Sequence, residues 1–134
     1  MATSAFSWQT WNSVPFTIER NAGKTDGTVV LRFCGPFWTR DVYTNLPTMA
    51  LSQAFELEAP GGTPITKHIL DMTSCPSIDS SGLGIIATHH VRCEKRGVKL
   101  VVAGASPRVR QVFQITNMDK VIPMVATLEE AEEQ

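Results

Sequence analysis

The residues of this chain best placed to do chemistry form one short string, Asp79-Ser80-Ser81-Gly82-Leu83-Gly84. It lies between a strand-like run, His68-Ile69-Leu70-Asp71-Met72, and a helix-like run from Ile85 to Arg96. Hydroxyls and a carboxylate at a helix start can cap the helix. A hydroxyl there can also carry a phosphate, because free N–H donors and the helix dipole tolerate the added negative charge. Nucleophilic catalysis fits less well. A serine nucleophile elbow needs small residues two positions either side of the serine. Those positions are Ile78 and Gly82 around Ser80, and Asp79 and Leu83 around Ser81, so the pattern fails. His89 and His90 lie eight to ten residues further along the same helix. At 1.5 Å per residue that separation exceeds ~12 Å, beyond hydrogen-bond reach.

Other chemistries find no better footing. Gly82-Leu83-Gly84-Ile85-Ile86-Ala87 formally matches a dinucleotide fingerprint, but Thr73 to Ser81 separates it from the strand. The acid required about 20 residues on is also missing, with Val101, Val102 and Ala103 in its place. No GxxxxGK[ST] phosphate loop occurs. His68, His89, His90 and the cysteines show no metal-ligand spacing, and adjacent helix positions point about 100° apart. The expectation is therefore a chain without catalytic residues, cofactor or metal.

Composition narrows the partners. The 134 residues suit one domain with one core. With 12 Lys plus Arg against 13 Asp plus Glu, a net charge of −1 sets up no field to recruit nucleic acid or an anionic membrane. The cluster Arg92, Lys95, Arg96, Lys99, Arg108 and Arg110 lacks interleaved aromatics and reads as a solvated rim. Cys34, Cys75 and Cys93 are odd in number and without CxxC pairing, which fits neither a disulfide framework nor a zinc site and points to the cytoplasm. No apolar run approaches the ~18 residues of a spanning helix, and Met1 to Val14 lacks the pattern of a signal peptide, so neither membrane insertion nor secretion is expected.

The elements that must position the string follow from periodicity and punctuation. Residues 1–14 read as an N-terminal extension, with Trp8 and Trp11 docking on the body or serving a dimer contact, and residues 15–134 as the domain. Phe16 to Arg20 and Thr28 to Cys34 form a hairpin across the turn-rich Asn21 to Gly27, and Gly35-Pro36 stops the second strand. Asn45 to Leu57 makes an imperfect helix, and Ala59 to Pro64 a loop. A strand over Ile65 to Met72 leads to a helix from Gly82 to Arg96, closed by Gly97 as a left-handed cap. Val98 to Ala103 is a buried strand, and Ser106-Pro107 opens a helix to about Ile115. Val121 to Val125 is a final strand, and Thr127 with Glu130 makes a capping box for a last helix through Glu133. The order β-β-α-β-α-β-α-β-α predicts an α/β fold, a mixed four- to five-stranded sheet with helices packed mainly on one face.

On these residues the chain resembles the STAS-domain anti-sigma-factor antagonists of bacteria. Ile69 to Met72, Ile78 to Gly84, Gly97 to Val102 and the helix start Ser106-Pro107-Arg108-Val109 follow that family's order and spacing, and the likeness runs from about Phe16 to Glu133. The resemblance implies a non-enzymatic switch in transcription regulation and stress response. Ser80 would be phosphorylated by a serine kinase that doubles as an anti-sigma factor, and dephosphorylated by a PP2C-type phosphatase. Unphosphorylated protein would bind the kinase and free the sigma factor. Asp79 would help the kinase engage Ser80, while Ser81, Gly82, Leu83 and Gly84 would shape the contact surface. Neither nucleic acid nor membrane would be bound, and the protein would be a monomer or weak dimer. Gly35-Pro36-Phe37-Trp38 departs from the family's acidic turn at this position. The alternative is a constitutive STAS scaffold, or a transporter or stressosome regulatory module, that is never phosphorylated; Trp8, Trp11 and Phe37-Trp38 favour it. The bland alternative is that Asp79 and Ser80 merely cap a helix, worth about 1 kcal/mol.

Overall fold

Alternation with a period of two opens the sheet: Phe16 and Ile18, then Leu31 and Phe33, are buried between more exposed neighbours. The computed structural model describes residues 4–8, 16–38, 52–58 and 63–134. Strands β1 (Ser4–Trp8), β2 (Phe16–Ala22), β3 (Thr28–Cys34), β4 (Lys67–Ser74), β5 (Lys99–Ala103) and β6 (Met124–Val125) lie side by side in chain order. The β1–β2 and β2–β3 pairs are antiparallel, and β3–β4, β4–β5 and β5–β6 are parallel. This is the expected mixed α/β sheet, one strand wider than expected. The added strand is β1, drawn from the segment read as an extension: the outer edge of β2 offers a row of unpaired backbone groups, which Ser4–Trp8 fill. Trp11 lies outside the described residues, as does most of the helix expected over 45–57; within that span residues 52–54 are helical, and Ala54, Phe55 and Leu57 are buried.

Helix α1 (Ser80–Arg96) follows β4, α2 (Pro107–Ile115) follows β5 and α3 (Leu128–Glu133) follows β6. One face of the sheet carries the main core, where Leu31, Phe33, Leu70, Met72, Leu100 and Val102 meet Leu83 and Ile86 of α1 and Val109 and Phe113 of α2. The pleat sends Val30, Ile69, Val101 and Ala103 to the other face, where Ala131 and Leu128 of α3 cover them. The helix ends form as their residues dictate. Gly97 takes φ 70° at the C-terminus of α1, and Ser106 caps α2 by accepting from Val109 N. Thr127 accepts from Glu130 N, while the Glu130 carboxylate reaches back to Ala126 N at 2.9 Å. The last strand is shorter than expected because Val121 N and Ile122 N both donate to Met118 O, closing the 3-10 turn over Met118–Lys120, and Pro123 lacks an N–H; the Pro123 carbonyl still accepts from Val102 at 2.9 Å.

Candidate functional site

Between the end of β4 and the start of α1 the chain runs along the segment that leaves β3. Gly35 N donates to Ser74 O at 3.0 Å, Phe37 N to Ser77 O at 3.0 Å and Asp79 N to Phe37 O at 3.4 Å, and Phe37 bridges Ile78 in parallel. Proline at 36 ends the β3 ladder, yet pairing resumes one residue later. The Phe37 ring fixes this splice: fully buried, it stacks on Phe16 at 5.2 Å and meets Phe33 edge-on at 5.0 Å. Trp38 lies outward at 37% exposure, with its indole N–H donating to Ser77 Oγ at 2.9 Å.

This splice sets where α1 begins. Asp79 is its N-cap, half-buried, with Oδ1 accepting from Gly82 N at 2.6 Å. Ser80 and Ser81 occupy the first turn and are exposed. Gly82 is buried: a Cβ there would stand 2.6 Å from Phe37 O, 3.0 Å from Ile78 Cγ1 and 3.1 Å from Asp79 Oδ1. Leu83 is core. Gly84 is exposed, and a Cβ added to it would meet nothing within 4 Å. The six residues singled out in the sequence thus divide. Ser80, Ser81 and Gly84 form a solvent face of small residues, continued by Thr88, with Asp79 at its edge; Gly82 and Leu83 point inward and hold the helix against the splice. Helix phase is the reason, since Gly82 falls on the face of Ile86, His89 and Cys93.

Among the described residues no histidine hydrogen-bonds to either serine. His89, one of two candidates, is 2% exposed and turned into the core, and half-buried His90 faces Glu94, with Nε2 3.6 Å from Oε1. The Cys75 and Cys93 thiols are buried and pushed up to about 11 by desolvation, so neither is a nucleophile at neutral pH.

Sequence spacing missed one cluster. His68 of β4 meets His89 of α1, Nδ1 to Nε2 at 3.0 Å, and Cys93 Sγ lies 3.5 Å from the same Nε2. Phe55 stacks on His89 at 4.5 Å. Among the described residues His89 Nδ1 is buried without a hydrogen-bond partner, a cost of about 1–3 kcal/mol, and His68 Nε2 has none at full hydrogen-bond geometry, only the nearby Glu56 backbone. Burial first, then mutual repulsion and Arg20 and Arg92, lower His68 to about 3, with the Glu56 backbone pulling the other way. Burial, Arg92, Arg20 and His90 lower His89 to about 4. The spacing of His89 and Cys93, one helical turn apart, was a readable signal; His68 joins them only through the fold.

An α/β domain with a mixed sheet, presenting a hydroxyl-bearing helix start beside a backbone splice, is the class that fold and site define. The STAS domain model matches residues 19–131, and the chain belongs to the STAS domain family. It is similar to the anti-sigma factor antagonist SpoIIAA in its unphosphorylated form, at 27% identity over 87% of this chain and 93% of that chain, with a TM-score of 0.64. It is also similar to the Bacillus cell fate determinant SpoIIAA in the phosphorylated form, at 26% identity over 87% and 96% of the two chains, with a TM-score of 0.59. The fold also matches murine Solute Carrier 26 family member A9, an anion transporter, at 15% identity and a TM-score of 0.66 over 98% of this chain and 21% of that chain. Among the described residues, no helix is long and apolar enough to cross a membrane.

Proposed function

We propose that the chain is an anti-sigma-factor antagonist: a cytoplasmic, non-enzymatic switch that binds a serine kinase acting as anti-sigma factor while Ser80 is free, and lets go when Ser80 is phosphorylated. A PP2C-type phosphatase resets it. The observation that carries this reading is the exposed Ser80 hydroxyl in the first turn of α1, next to the half-buried Asp79 cap. Identity of 27% to SpoIIAA, a protein with structures in both unphosphorylated and phosphorylated forms, supports it.

The physics favours a change of affinity over a change of fold. A phosphate at Ser80 adds about −1.5 to −2 charge at the positive end of a helix dipole, where the domain tolerates it. Within a partner's footprint the same charge beside Asp79 places like charges at a desolvated contact. Mispaired interfacial charges cost about 2–5 kcal/mol, roughly 30-fold to several thousand-fold in affinity. Ser80, Ser81, Gly84 and Thr88 would supply the docking face, with Gly82 and Leu83 acting through the placement of the helix.

Phosphopeptide mapping of protein isolated from its host tests the reading, with one phosphate expected on Ser80; its absence under every growth condition refutes it. A second reading, a constitutive scaffold or a transporter or stressosome module, rests on exposed Trp38 at the splice, since Phe37 is sealed in the core. Self-association lost in Trp38→Ala would support it.

A further inference from the structure

The cluster of His68, His89 and Cys93 has no part in the switch, and it has the composition of a metal site. We infer that these three side chains form a three-coordinate site for a soft monovalent cation, Cu(I), inside the main core. Their donor atoms all lie within 4.8 Å of one another, and all three residues are buried. They come from one strand and one helix, so the donors sit on rigid elements. His89 and Cys93 project from successive turns of α1, and β4 presents His68 opposite.

The geometry is near that of a trigonal site. With metal–nitrogen bonds of about 2.0 Å and metal–sulfur bonds of about 2.3 Å, ligand-to-ligand edges run to about 3.5–3.7 Å. The 3.0 Å and 3.5 Å separations need to open by no more than about half an ångström, and the third edge, His68 Nδ1 to Cys93 Sγ, which lies within 4.8 Å, needs to close by at most about 1 Å, within side-chain adjustment.

Charge selects the ion. Binding Cu(I) releases the Cys93 thiol proton, so one positive charge leaves as another enters, and thiolate plus Cu(I) plus two neutral imidazoles sum to zero. Zn(II) in the same ligands would leave a net positive charge in an apolar core that already feels Arg20 and Arg92. Thiolate and imidazole are both ligands that Cu(I) accepts, and among the described residues the cluster offers three such donors. Because the cluster is closed over, loading should be faster during refolding than on the folded chain.

The test uses the full chain under anaerobic, reducing conditions, refolded with one equivalent of Cu(I) and then challenged with a coloured Cu(I) chelator. The wild type should retain one Cu(I) per chain, as should Cys34→Ser and Cys75→Ser, while Cys93→Ser loses it. X-ray absorption of the wild type should show one sulfur and two imidazole nitrogens. No retention by the wild type, undiminished retention by Cys93→Ser, or stoichiometric Zn(II) in place of Cu(I) overturns the inference. If Cys93→Ser does not fold, the wild-type spectrum decides alone, and a shell with two or more sulfurs or no imidazole rejects the site.

Discussion

Adding one methyl group at Gly82 and one at Gly84 should move stability in opposite directions. At Gly82 the new Cβ would stand 2.6 Å from Phe37 O, a backbone atom, and 3.0 Å from Ile78 Cγ1. The carbonyl cannot withdraw cheaply, because the Phe37 ring is held between Phe16 and Phe33 and its N–H is bonded to Ser77 O. Overpacking of this kind costs about 1–3 kcal/mol, and the better helix propensity of alanine returns at most about 1 kcal/mol. The net loss for Gly82→Ala is about 1–2 kcal/mol, a melting point lower by roughly 3–10 °C for a domain of this size. At Gly84 nothing lies within 4 Å, so Gly84→Ala keeps the propensity gain and should melt higher by a few degrees. Thermal and urea unfolding followed by circular dichroism read both. Gly82→Ala melting at or above the wild type would falsify the claim that the splice and the helix start are packed as one unit. If Ser80, Ser81 and Gly84 form the docking face, Gly84→Ala should also bind the kinase less tightly despite its added stability.

Asp79 separates capping from charge. Asp79→Asn keeps a side-chain oxygen for Gly82 N and should unfold close to wild type, whereas Asp79→Ala loses the cap and about 1 kcal/mol in chemical denaturation. If the carboxylate serves kinase recognition, both variants should be phosphorylated more slowly than the wild type, and wild-type rates in both would reduce Asp79 to a cap. The metal-free protein should weaken in acid. His68 and His89 fall from 6.5 to about 3 and about 4, so the unfolded chain binds more protons than the folded one. Their contribution is whole above pH 6.5 and drains as pH falls toward 4. A tenfold difference in proton affinity between the folded and unfolded chain is worth about 1.4 kcal/mol, so a loss of a few kcal/mol is expected in urea titrations between these limits. Arg20, Arg92 and His90 face the pair and repel a proton, Cys93 is neutral, and only the Glu56 backbone favours a proton on His68, so a flat profile would contradict the burial of the two rings.

The legible parts of this fold are those written in local chemistry. Asp79, Gly97, Ser106 and Thr127 each mark a helix end by side-chain oxygen or by left-handed backbone, and each stands within one or two residues of where the sequence places it. Alternation in Phe16–Arg20 and the apolar run of Lys99–Ala103 announce a strand covered mainly on one face and one buried on both. The edge strand β1 carries no such mark, because Ser4–Trp8 is polar and small between its aromatics and is held by the free edge of β2 rather than by its own pattern.

At the site, residue identity was readable and orientation was not. The glycines carry no side chain to show which way the helix faces, yet Leu83, Ile86 and Cys93 already define a buried face on which Gly82 falls. Reading that phase would have divided the string into its inward and outward halves. The role of Gly35-Pro36-Phe37-Trp38 lay beyond any local pattern, because its partner, Ser74 to Asp79, is some forty positions later in the chain. That pairing makes the departure from the family's acidic turn intelligible. A carboxylate at position 37 could not enter the aromatic cluster of Phe16 and Phe33 without an unpaired buried charge, so this chain anchors its helix start with a ring and presents an indole, Trp38, at the surface of the splice. If the proposed switch docks its partner at this end of α1, affinity should depend on the apolar surface of Trp38 as well as on Ser80, and Trp38→Ala with unchanged kinase affinity would remove the indole from that contact.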